Sequence, residues 1–265
     1  MGKKLIIANW KMNLSVGEAS LFVHKLVTAL PQYDDVEVVL APTMLALQPV
    51  SLQLPHNTFT LAAQNFYWRD QGAYTGEVSA NQLRGLVKYA LIGHSERRHL
   101  FGEYGRDIRY KVQAAYRNSI IPVLCVGETA SERSVHETNE VLHDQIAEGL
   151  ANVTSDEIKS LVIAYEPVWA ISSGKDVATH AVPTPEEIEK AVKAIRTQVS
   201  NLFGATAARQ VRVLYGGSVH ADNVASFLDT KGVDGLLVGA SSLDIRAFTV
   251  IIEKAHTVTT KGKKK

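Results

Sequence analysis

The stretch VRVLYGGSVHADNVASFLDTKGVDGLLVGA, residues 211–240, contains two near-continuous apolar runs, and each run is followed by a cluster of small residues. An apolar run without alternation is typical of a parallel strand that is buried on both faces. The segment between the two runs is long enough for a helical crossover, which parallel strands require. This stretch therefore predicts a β–α–β unit of a parallel sheet.

Six further apolar runs precede this unit, namely KLIIAN, VEVVLA, FTLAAQ, YALIGH, IPVLCVG and SLVIAYE. Segments with helical spacing separate them, and no Pro/Gly-rich linker divides the chain. Eight strands alternating with helices predict a single closed (β/α)8 barrel of parallel strands with outer helices, over residues 1–257. An open doubly wound sheet is the alternative, but no G-x-G-x-x-G follows the first strand. Residues 258–265 contain the basic sequence TTKGKKK and are predicted to form a disordered tail.

Two helical segments carry specific signals. In TPEEIEKAVKAIRTQVSNLF, Thr184 is a predicted N-cap, Pro185 is the first helical residue, and Glu187 completes a capping box. In SVGEASLFVHKLVTAL, helical spacing predicts one apolar side formed by Val16, Leu21, Val23, Leu26 and Val27.

The composition limits the classes of function. The chain has 265 residues, of which 46% are hydrophobic and 21% are charged, as in a soluble globular protein. A formal net charge of +1 gives no global field that favours nucleic acid. The single Cys125 excludes an internal disulfide and fits a reducing compartment. No apolar run approaches the ~20 residues of a membrane span, and the short apolar stretch near the N-terminus does not fit a signal peptide, so we expect a cytoplasmic protein.

Polar residues follow most of the predicted strands. In a (β/α)8 barrel the active site lies at the C-terminal ends of the strands, so these residues should meet on one face. A solvated loop charge is the ordinary explanation for any one of them, but a lysine, a histidine and a glutamate on one face favour a functional site. The residues concerned are Asn9, Lys11, Gln64, Asn65, His94, Ser95, Glu96, Glu128 and Glu166.

Two small-residue loops, YGGSV at residues 215–219 and VGAS at residues 238–241, follow the seventh and eighth strands. They offer backbone N–H groups with little side-chain cover. Loops at these positions, leading into helix N-termini, commonly bind phosphate in barrels. Each alone is equally well explained as a tight turn that needs glycine, but the adjacent pair favours a phosphate site.

The titratable groups at this rim suit one kind of chemistry. Glu166 ends an apolar strand, where desolvation strengthens a carboxylate as a base. His94 opens a predicted helix, whose positive end disfavours imidazolium and favours a neutral hydrogen-bond donor. Lys11 adds a fixed positive charge. A base, a neutral donor and a cation beside a phosphate site indicate proton abstraction next to a carbonyl, with stabilisation of the enediolate oxygen. No group of residues has metal-ligand spacing.

The motifs ANWKMN, QNFYWRDQGAYTGEVS, LIGHSERR, CVGE, AYEPVWAI, YGGSV and VGAS resemble, in this order, those of the triosephosphate isomerase family. The resemblance covers essentially the whole barrel. It implies a TIM barrel that interconverts dihydroxyacetone phosphate and D-glyceraldehyde 3-phosphate, without a cofactor or a metal, in glycolysis and gluconeogenesis.

The resemblance also implies the residue roles. Glu166 would be the base that moves the proton between carbons, and His94 would polarise the carbonyl and move protons between oxygens. Lys11 would stabilise phosphate and enediolate charge. Asn9 would help to orient the substrate, and Glu96 would support the site from behind.

Phosphate would be bound by backbone groups of Ser172, Ser218, Gly239 and Ala240. Ser172 and Ala240 stand where the family usually has glycine, which tolerates positive φ more readily. Residues 171–174 would form the tip of a lid that excludes water, with Pro167 and Trp169 at its first hinge. The second hinge, DVATHAVP at residues 176–183, is longer than is usual in the family, and we expect it to bulge outward.

A homodimer is implied through the loop from Gln71 to Ser79, which resembles a family loop that docks into a neighbouring subunit. Two other functions remain open on the residues alone. One is an aldolase or other lyase that uses Lys11 as a Schiff base. The other is a non-catalytic phosphate-binding barrel, although binding alone does not require a base.

Overall fold

The computed structural model describes residues 2–171 and 182–262, and side chains as far as residue 260. Its eight parallel strands close into one barrel in the order β1 to β8. This confirms the predicted (β/α)8 barrel. The strands are β1 (Lys4–Asn9), β2 (Val36–Ala41), β3 (Phe59–Ala63), β4 (Tyr89–Ile92), β5 (Ile121–Val126), β6 (Val162–Tyr165), β7 (Arg212–Tyr215) and β8 (Gly235–Val238).

The barrel is buried on both faces, which explains the continuous apolar runs. In β1, Leu5 and Ile7 belong to the core inside the barrel, whereas Ile6 and Ala8 belong to the larger core between strands and helices. The register closes where Leu5 of β1 pairs with Gly235 of β8. A Cβ at residue 235 would lie 1.9 Å from the Leu5 carbonyl oxygen, so this junction requires glycine.

Ten α-helices lie among the described residues: α1 (Val16–Ala29), α2 (Met44–Ser51), α3 (Ala80–Leu83), α4 (Ser95–Leu100), α5 (Gly105–Arg117), α6 (Ala130–Ser134), α7 (Thr138–Gly149), α8 (Pro185–Gln210), α9 (Val224–Asp229) and α10 (Ile245–Gly262). The predicted start of α8 is present, because the Thr184 side chain and backbone both bond to Glu187 in a capping box. None of the helices described is long and apolar enough to span a membrane.

The predicted apolar face of α1 is partly wrong. Val23 and Leu26 are buried as expected, but Val16 and Leu21 are 40% and 54% exposed. The buried face instead includes Ala19 and Phe22. Phe22 packs edge-on against Trp10, with ring centroids 5.2 Å apart, so this aromatic contact sets the rotation of the helix.

The folded chain extends beyond the predicted boundary at residue 257. Helix α10 continues to Gly262, five residues into the stretch predicted to be a disordered tail. Thr259 is only 3% exposed, and its hydroxyl donates to the Ala255 carbonyl oxygen at 2.9 Å. The physical reason is that Val258 and Thr259 still face the core in the helical register. Residues 263–265 lie outside the described part of the chain.

The N-terminal end of the barrel is closed by polar side chains. Glu37 accepts hydrogen bonds from Lys88 Nζ at 2.6 Å, Tyr89 OH at 2.8 Å and Arg212 at 2.8 Å. Arg212 also donates to Tyr89 OH at 2.7 Å. Since β2, β4 and β7 are not neighbours in the sheet, this network ties opposite sides of the barrel together.

Candidate active site

Four of the predicted rim residues meet at the C-terminal ends of the strands, whereas the pocket there is not lined by Gln64, Asn65, Ser95, Glu96 or Glu128. Asn9, Lys11, His94 and Glu166 line one small pocket. The loops after β7 and β8 line the same pocket. Residues from Asn9 to Ser241 are therefore brought to one place, as the barrel topology requires.

Lys11 is held in an unusual backbone conformation directly after β1. Its φ is +51°, which a residue other than glycine adopts only where its surroundings fix it. Its N–H donates to Asn9 Oδ1 at 3.1 Å, and its carbonyl oxygen accepts from Gln64 Nε2 at 2.9 Å. The ammonium contacts Glu96 Oε1 at 2.6 Å. These contacts fix the cation at the pocket wall.

His94 is the N-cap of α4 and is almost fully buried. Its Nδ1 accepts a hydrogen bond from the Glu96 backbone N–H at 3.2 Å. An accepting Nδ1 cannot carry a proton, so the ring proton belongs on Nε2. Nε2 lies 3.2 Å from Glu166 Oε1. The helix start thus presents a neutral imidazole whose Nε2 lies next to the carboxylate.

Glu166 immediately follows β6 and is only 3% exposed. Its backbone N–H donates to the Val126 carbonyl oxygen at 2.7 Å. A Cβ at Gly127 would lie 1.9 Å from the Glu166 carbonyl oxygen, so glycine there permits this close approach. Among the described residues, the carboxylate accepts a hydrogen bond only from the Ser95 N–H, at 3.3 Å. It is therefore buried and weakly bound.

The wall of the barrel behind Glu166 does not compete for protons. The thiol of Cys125 is fully buried, and burial, together with the nearby Glu166 carboxylate, raises its pKa well above the ordinary value. Cys125 therefore stays a neutral thiol at physiological pH. Arg98 donates to the carbonyl oxygens of Gly93 and Cys125 at 2.8 and 2.9 Å, which fixes the loop before His94.

The segment after Glu166 is anchored by its tryptophan. Trp169 Nε1 donates to Glu128 Oε1 at 2.8 Å, and Tyr165 OH donates to the same carboxylate. The Arg133 guanidinium lies 3.8 Å from the centroid of the Trp169 ring. Burial, followed by the Glu128 charge, raises the pKa of Tyr165 far above its ordinary range, so this hydroxyl remains a donor. The predicted lid tip continues into residues 172–174, which lie outside the described residues.

The two predicted phosphate loops line the same pocket as His94. The N–H groups of Gly239 and Ala240 donate to no other described residue, whereas the Ser218 N–H donates to the Ala170 carbonyl oxygen at 3.1 Å. Ala240 opens a short 3-10 helix and has no positive φ, so its Cβ introduces no strain. Ser172 lies outside the described residues.

Sequence reasoning missed two residues of the pocket. His220 lines it and contacts Ser241 Oγ through Nδ1 at 3.2 Å. Its position directly after the YGGSV motif indicates that it lies at the pocket, and this signal was present in the sequence. Leu237 lies under the carboxylate beside Gly216, but a leucine inside a strand gives no signal of this kind. Within residues 2–171 and 182–262, no group of three or more His, Cys, Asp or Glu side chains is placed to hold a metal ion.

Comparison with known proteins adds to this geometry. Residues 4–255 match the family model described as Triosephosphate isomerase. The chain belongs to the triosephosphate isomerase family. It is 41% identical over 254 residues to a protein named triosephosphate isomerase from Carboxydothermus hydrogenoformans, which covers 96% of this chain and 99% of that relative. Relatives of the same name from Geotalea uraniireducens and Citrifermentans bemidjiense are 40% and 38% identical over 253 residues, each covering 95% of this chain and 98% of the relative.

Membership of the triosephosphate isomerase family makes the chain an isomerase. The resemblance noted from the sequence motifs is confirmed by matches that extend over nearly all of the barrel. The matches concern the chain as a whole, and the roles of single residues rest on the geometry described above.

Proposed function

We propose that the chain interconverts dihydroxyacetone phosphate and D-glyceraldehyde 3-phosphate through an enediolate, with Glu166 as base, His94 as neutral electrophile and Lys11 as electrostatic stabiliser. The observation that carries this proposal is the contact of His94 Nε2 with Glu166 Oε1 at 3.2 Å in the pocket that also contains Lys11. In the cell, the reaction would serve glycolysis and gluconeogenesis in the cytoplasm, and it needs no cofactor.

The reaction needs a proton to move between neighbouring carbons and another between their oxygens. Glu166, buried and weakly bound, takes the proton from the carbon next to the carbonyl. His94 donates its Nε2 hydrogen bond to the oxygen on which negative charge develops. Lys11 stabilises the same charge, and its contact with Glu96 keeps the ammonium in place. Asn9 orients the substrate from the pocket wall.

Phosphate is proposed to bind to the loops after β7 and β8. The N–H groups of Gly239 and Ala240 supply two donors, and Lys11 lies close by, since a Cβ at Gly239 would be 3.6 Å from Lys11 Cε. Ser218 and Ser172 are proposed to contribute backbone donors as well. For Ser218, this requires its N–H to exchange the Ala170 carbonyl oxygen for a phosphate oxygen.

The Schiff-base alternative is disfavoured by the surroundings of Lys11. A lysine nucleophile must be neutral, but the Glu96 carboxylate at 2.6 Å stabilises the charged ammonium. A non-catalytic phosphate-binding barrel is disfavoured because the buried Glu166 adds negative charge to the pocket, which weakens the binding of an anion.

A coupled assay tests the proposal directly. The chain is supplied with D-glyceraldehyde 3-phosphate, and dihydroxyacetone phosphate is measured through a coupled glycerol-phosphate dehydrogenase. We expect turnover without added metal and in the presence of a chelator. Borohydride added with substrate should trap no covalent adduct on Lys11. A trapped adduct, or the absence of turnover, would contradict the proposed reaction.

The chain is further proposed to form a homodimer through the loop from Gln71 to Ser79. The base of this loop is fixed where the Tyr67 N–H donates to the Val78 carbonyl oxygen at 2.8 Å, and residues 71–77 project into solvent. Met12, in the loop after β1, and Leu45, in the first turn of α2, are 95% and 81% exposed and offer apolar surface to such a loop. Sedimentation tests the proposal: deletion of residues 73–77 should give monomers with reduced activity, and a fully active dimer would refute it.

A further inference from the structure

Two histidines line the active-site pocket, and their ring nitrogens are bonded in opposite ways. His94 accepts at Nδ1 from the Glu96 N–H, which excludes a proton on that nitrogen and keeps the ring neutral. His220, on the loop after β7, contacts Ser241 Oγ through Nδ1 at 3.2 Å. The protonation of this second ring therefore depends on where the Ser241 hydroxyl proton lies.

The Ser241 proton belongs to a different contact. A hydroxyl has one proton to donate, and a carbonyl oxygen can only accept. Ser241 Oγ lies 2.6 Å from the Val219 carbonyl oxygen, so the hydroxyl donates there. Ser241 Oγ then faces His220 as an acceptor, and Nδ1 of His220 donates to it. The other nitrogen, Nε2, bonds to no group within residues 2–171 and 182–260, so it is available to a ligand.

The loop that contains His220 is fixed in place. The His220 N–H donates to Asn223 Oδ1 at 2.8 Å, and Asn223 Nδ2 donates to the Ser218 carbonyl oxygen at 3.0 Å. Ser241 joins this loop to the loop after β8, because its hydroxyl bonds to Val219. The imidazole is therefore attached to both of the loops that are proposed to bind phosphate.

The charges of the pocket do not balance a phosphate dianion. Among the described lining residues, Lys11 is the cation and Glu166 is the anion, so the formal charge is zero while both histidines are neutral. Glu96, at 2.6 Å, already pairs with Lys11. A dianion brings the site to a formal charge of −2 and favours the protonated form of a nearby imidazole. His220 can accept that proton at Nε2, because its Nδ1 is a donor in both the neutral and the charged ring.

The segments around His220 leave its ring without a carboxylate partner. The charged side chains on these segments are Asp222, Asp244, Arg246 and Lys254. Lys254 donates to the Ala221 carbonyl oxygen at 2.6 Å, and Asp244 accepts from the Ala247 N–H at 2.8 Å. Within the described part of the chain, the histidines that contact a carboxylate are His94, His143 and His256. An anion that enters the pocket therefore meets no competing carboxylate at His220.

We propose that His220 binds the phosphate group of the substrate and takes up a proton from water as the phosphate dianion enters the pocket. This inference rests on the proposed triose phosphate site and adds to it a residue that senses the charge of the phosphate. Nδ1 stays bonded to Ser241, and the new N–H at Nε2 donates to a phosphate oxygen. The ring is exposed to solvent, which supplies the proton.

His220→Asn is the decisive variant, because the asparagine amide retains a donor near the position of Nδ1 but cannot become charged. With D-glyceraldehyde 3-phosphate as substrate, the variant should raise KM about fourfold at pH ~6 and leave it unchanged at pH ~8.5, where imidazole is neutral. The value of kcat should change by less than about twofold, since the contact is made equally in the ground state and the transition state. His56→Asn is the matched control: His56 is exposed before β3, at the other end of the barrel, and its loss should not change KM.

Calorimetric titration with glycerol 3-phosphate measures the proton uptake directly. In two buffers of different ionisation enthalpy at about pH 7, the unaltered protein should take up a fraction of a proton more per ligand than His220→Asn does. The protons that the ligand itself exchanges are common to both proteins and cancel in the difference. This comparison does not require turnover, so it tests His220 even if the proposed isomerase reaction is wrong.

Two results would overturn the role of His220. The first is equal proton uptake by the two proteins. The second is a KM for His220→Asn that equals that of the unaltered protein, or exceeds it by the same factor at every pH, as a purely structural contribution would give. Either result in an enzyme that still isomerises triose phosphate would refute the role of His220 and leave the proposed function intact.

Discussion

Each end of the barrel holds a glutamate close to a cation, but the two carboxylates are bound very differently. At the N-terminal end, Glu37 accepts from three side-chain donors at 2.6 to 2.8 Å. At the C-terminal end, Glu166 accepts from one N–H at 3.3 Å and lies 3.2 Å from His94. The nearby Lys11 bonds to Glu96 instead.

This difference separates a structural carboxylate from one that is available for chemistry. Burial alone would raise the pKa of Glu37, but the hydrogen bonds from Lys88, Arg212 and Tyr89 more than offset it and hold that pKa below its ordinary value. Such a group is a poor base. Glu166 is more deeply buried, with its side chain 4% exposed against 16% for Glu37, and it has no comparable donors, so it retains the lone pairs that a proton transfer requires.

The sharpest test makes the same change at both ends. Glu166→Asp withdraws the carboxylate by one methylene, and misplacement by ~1 Å can cost ~10²-fold in rate. We expect kcat to fall by about that factor with no change in melting temperature. Glu37→Asp is the matched control and should lower the melting temperature while kcat stays within about twofold. Unchanged kcat in Glu166→Asp would remove this residue from the base role.

Glu37→Gln should destabilise the fold by about 2 kcal/mol, because it leaves two partly solvated cations without their carboxylate. Lys88 and Arg212 are 47% and 28% exposed, so the cost is less than that of a fully buried pair. Urea unfolding monitored by circular dichroism measures the difference, and the coupled assay should show unchanged kcat/KM. A loss of activity in the folded variant would show that the two ends are coupled.

The same variant gives a pH test whose sign follows from Glu37. Its pKa is lower in the folded protein than the ordinary carboxyl value of ~4.3 in the unfolded chain. Its contribution to stability is therefore complete above the ordinary pKa and is lost as the pH falls through the folded pKa. The free-energy difference between the original protein and Glu37→Gln should be constant from neutral pH down to about pH 5 and shrink below pH 4.

The comparison also shows what the sequence could reveal about the fold. All eight strands were predicted because burial on both faces produces continuous apolar runs. The start of α8 was predicted because the capping box is local in sequence. The face of α1 was partly missed, because Leu21 and Phe22 are both apolar and only the distant contact with Trp10 decides which is buried.

The site was easier to predict than the network at the other end. Lys11, His94 and Glu166 could be predicted to lie together because each follows a strand, and the barrel brings all such positions together. Glu37 and Arg212 lie 175 residues apart near the starts of their strands, where a charged residue is ordinary. Their contact across the barrel depends on side-chain length and tilt, which no local pattern encodes.

Gly216→Ala tests how closely Glu166 is confined. The added Cβ would lie 3.0 Å from Glu166 Cγ and 3.3 Å from Leu237 Cβ, so the carboxylate must shift by a few tenths of an ångström. We expect a roughly tenfold loss in kcat, since the barrier depends on the placement of the base. Gly17→Ala is the control, because no atom lies within 4 Å of its added Cβ. Wild-type activity in Gly216→Ala would show that the Glu166 side chain accommodates the added methyl group without losing its catalytic position.

The smallest effect is expected from Tyr89→Phe. The Tyr89 hydroxyl donates to Glu37 and accepts from Arg212, so it connects the Glu37 carboxylate to the Arg212 guanidinium. Burial raises the pKa of Tyr89, which keeps the hydroxyl protonated and able to donate. Its loss should cost only about 1 kcal/mol, because Lys88 and Arg212 still satisfy Glu37 directly.

A double-mutant cycle separates the hydrogen bond from the packing of the ring. In the Glu37→Gln background, Tyr89→Phe should cost less than it does alone, with a coupling of at least ~0.5 kcal/mol, because the carboxylate that polarises the hydroxyl is absent. Additive costs would mean that the hydroxyl acts independently of Glu37. In that case Lys88 and Arg212 would stabilise Glu37 as two separate ion pairs. These two cations alone would then distinguish the firmly bound Glu37 from the weakly bound Glu166.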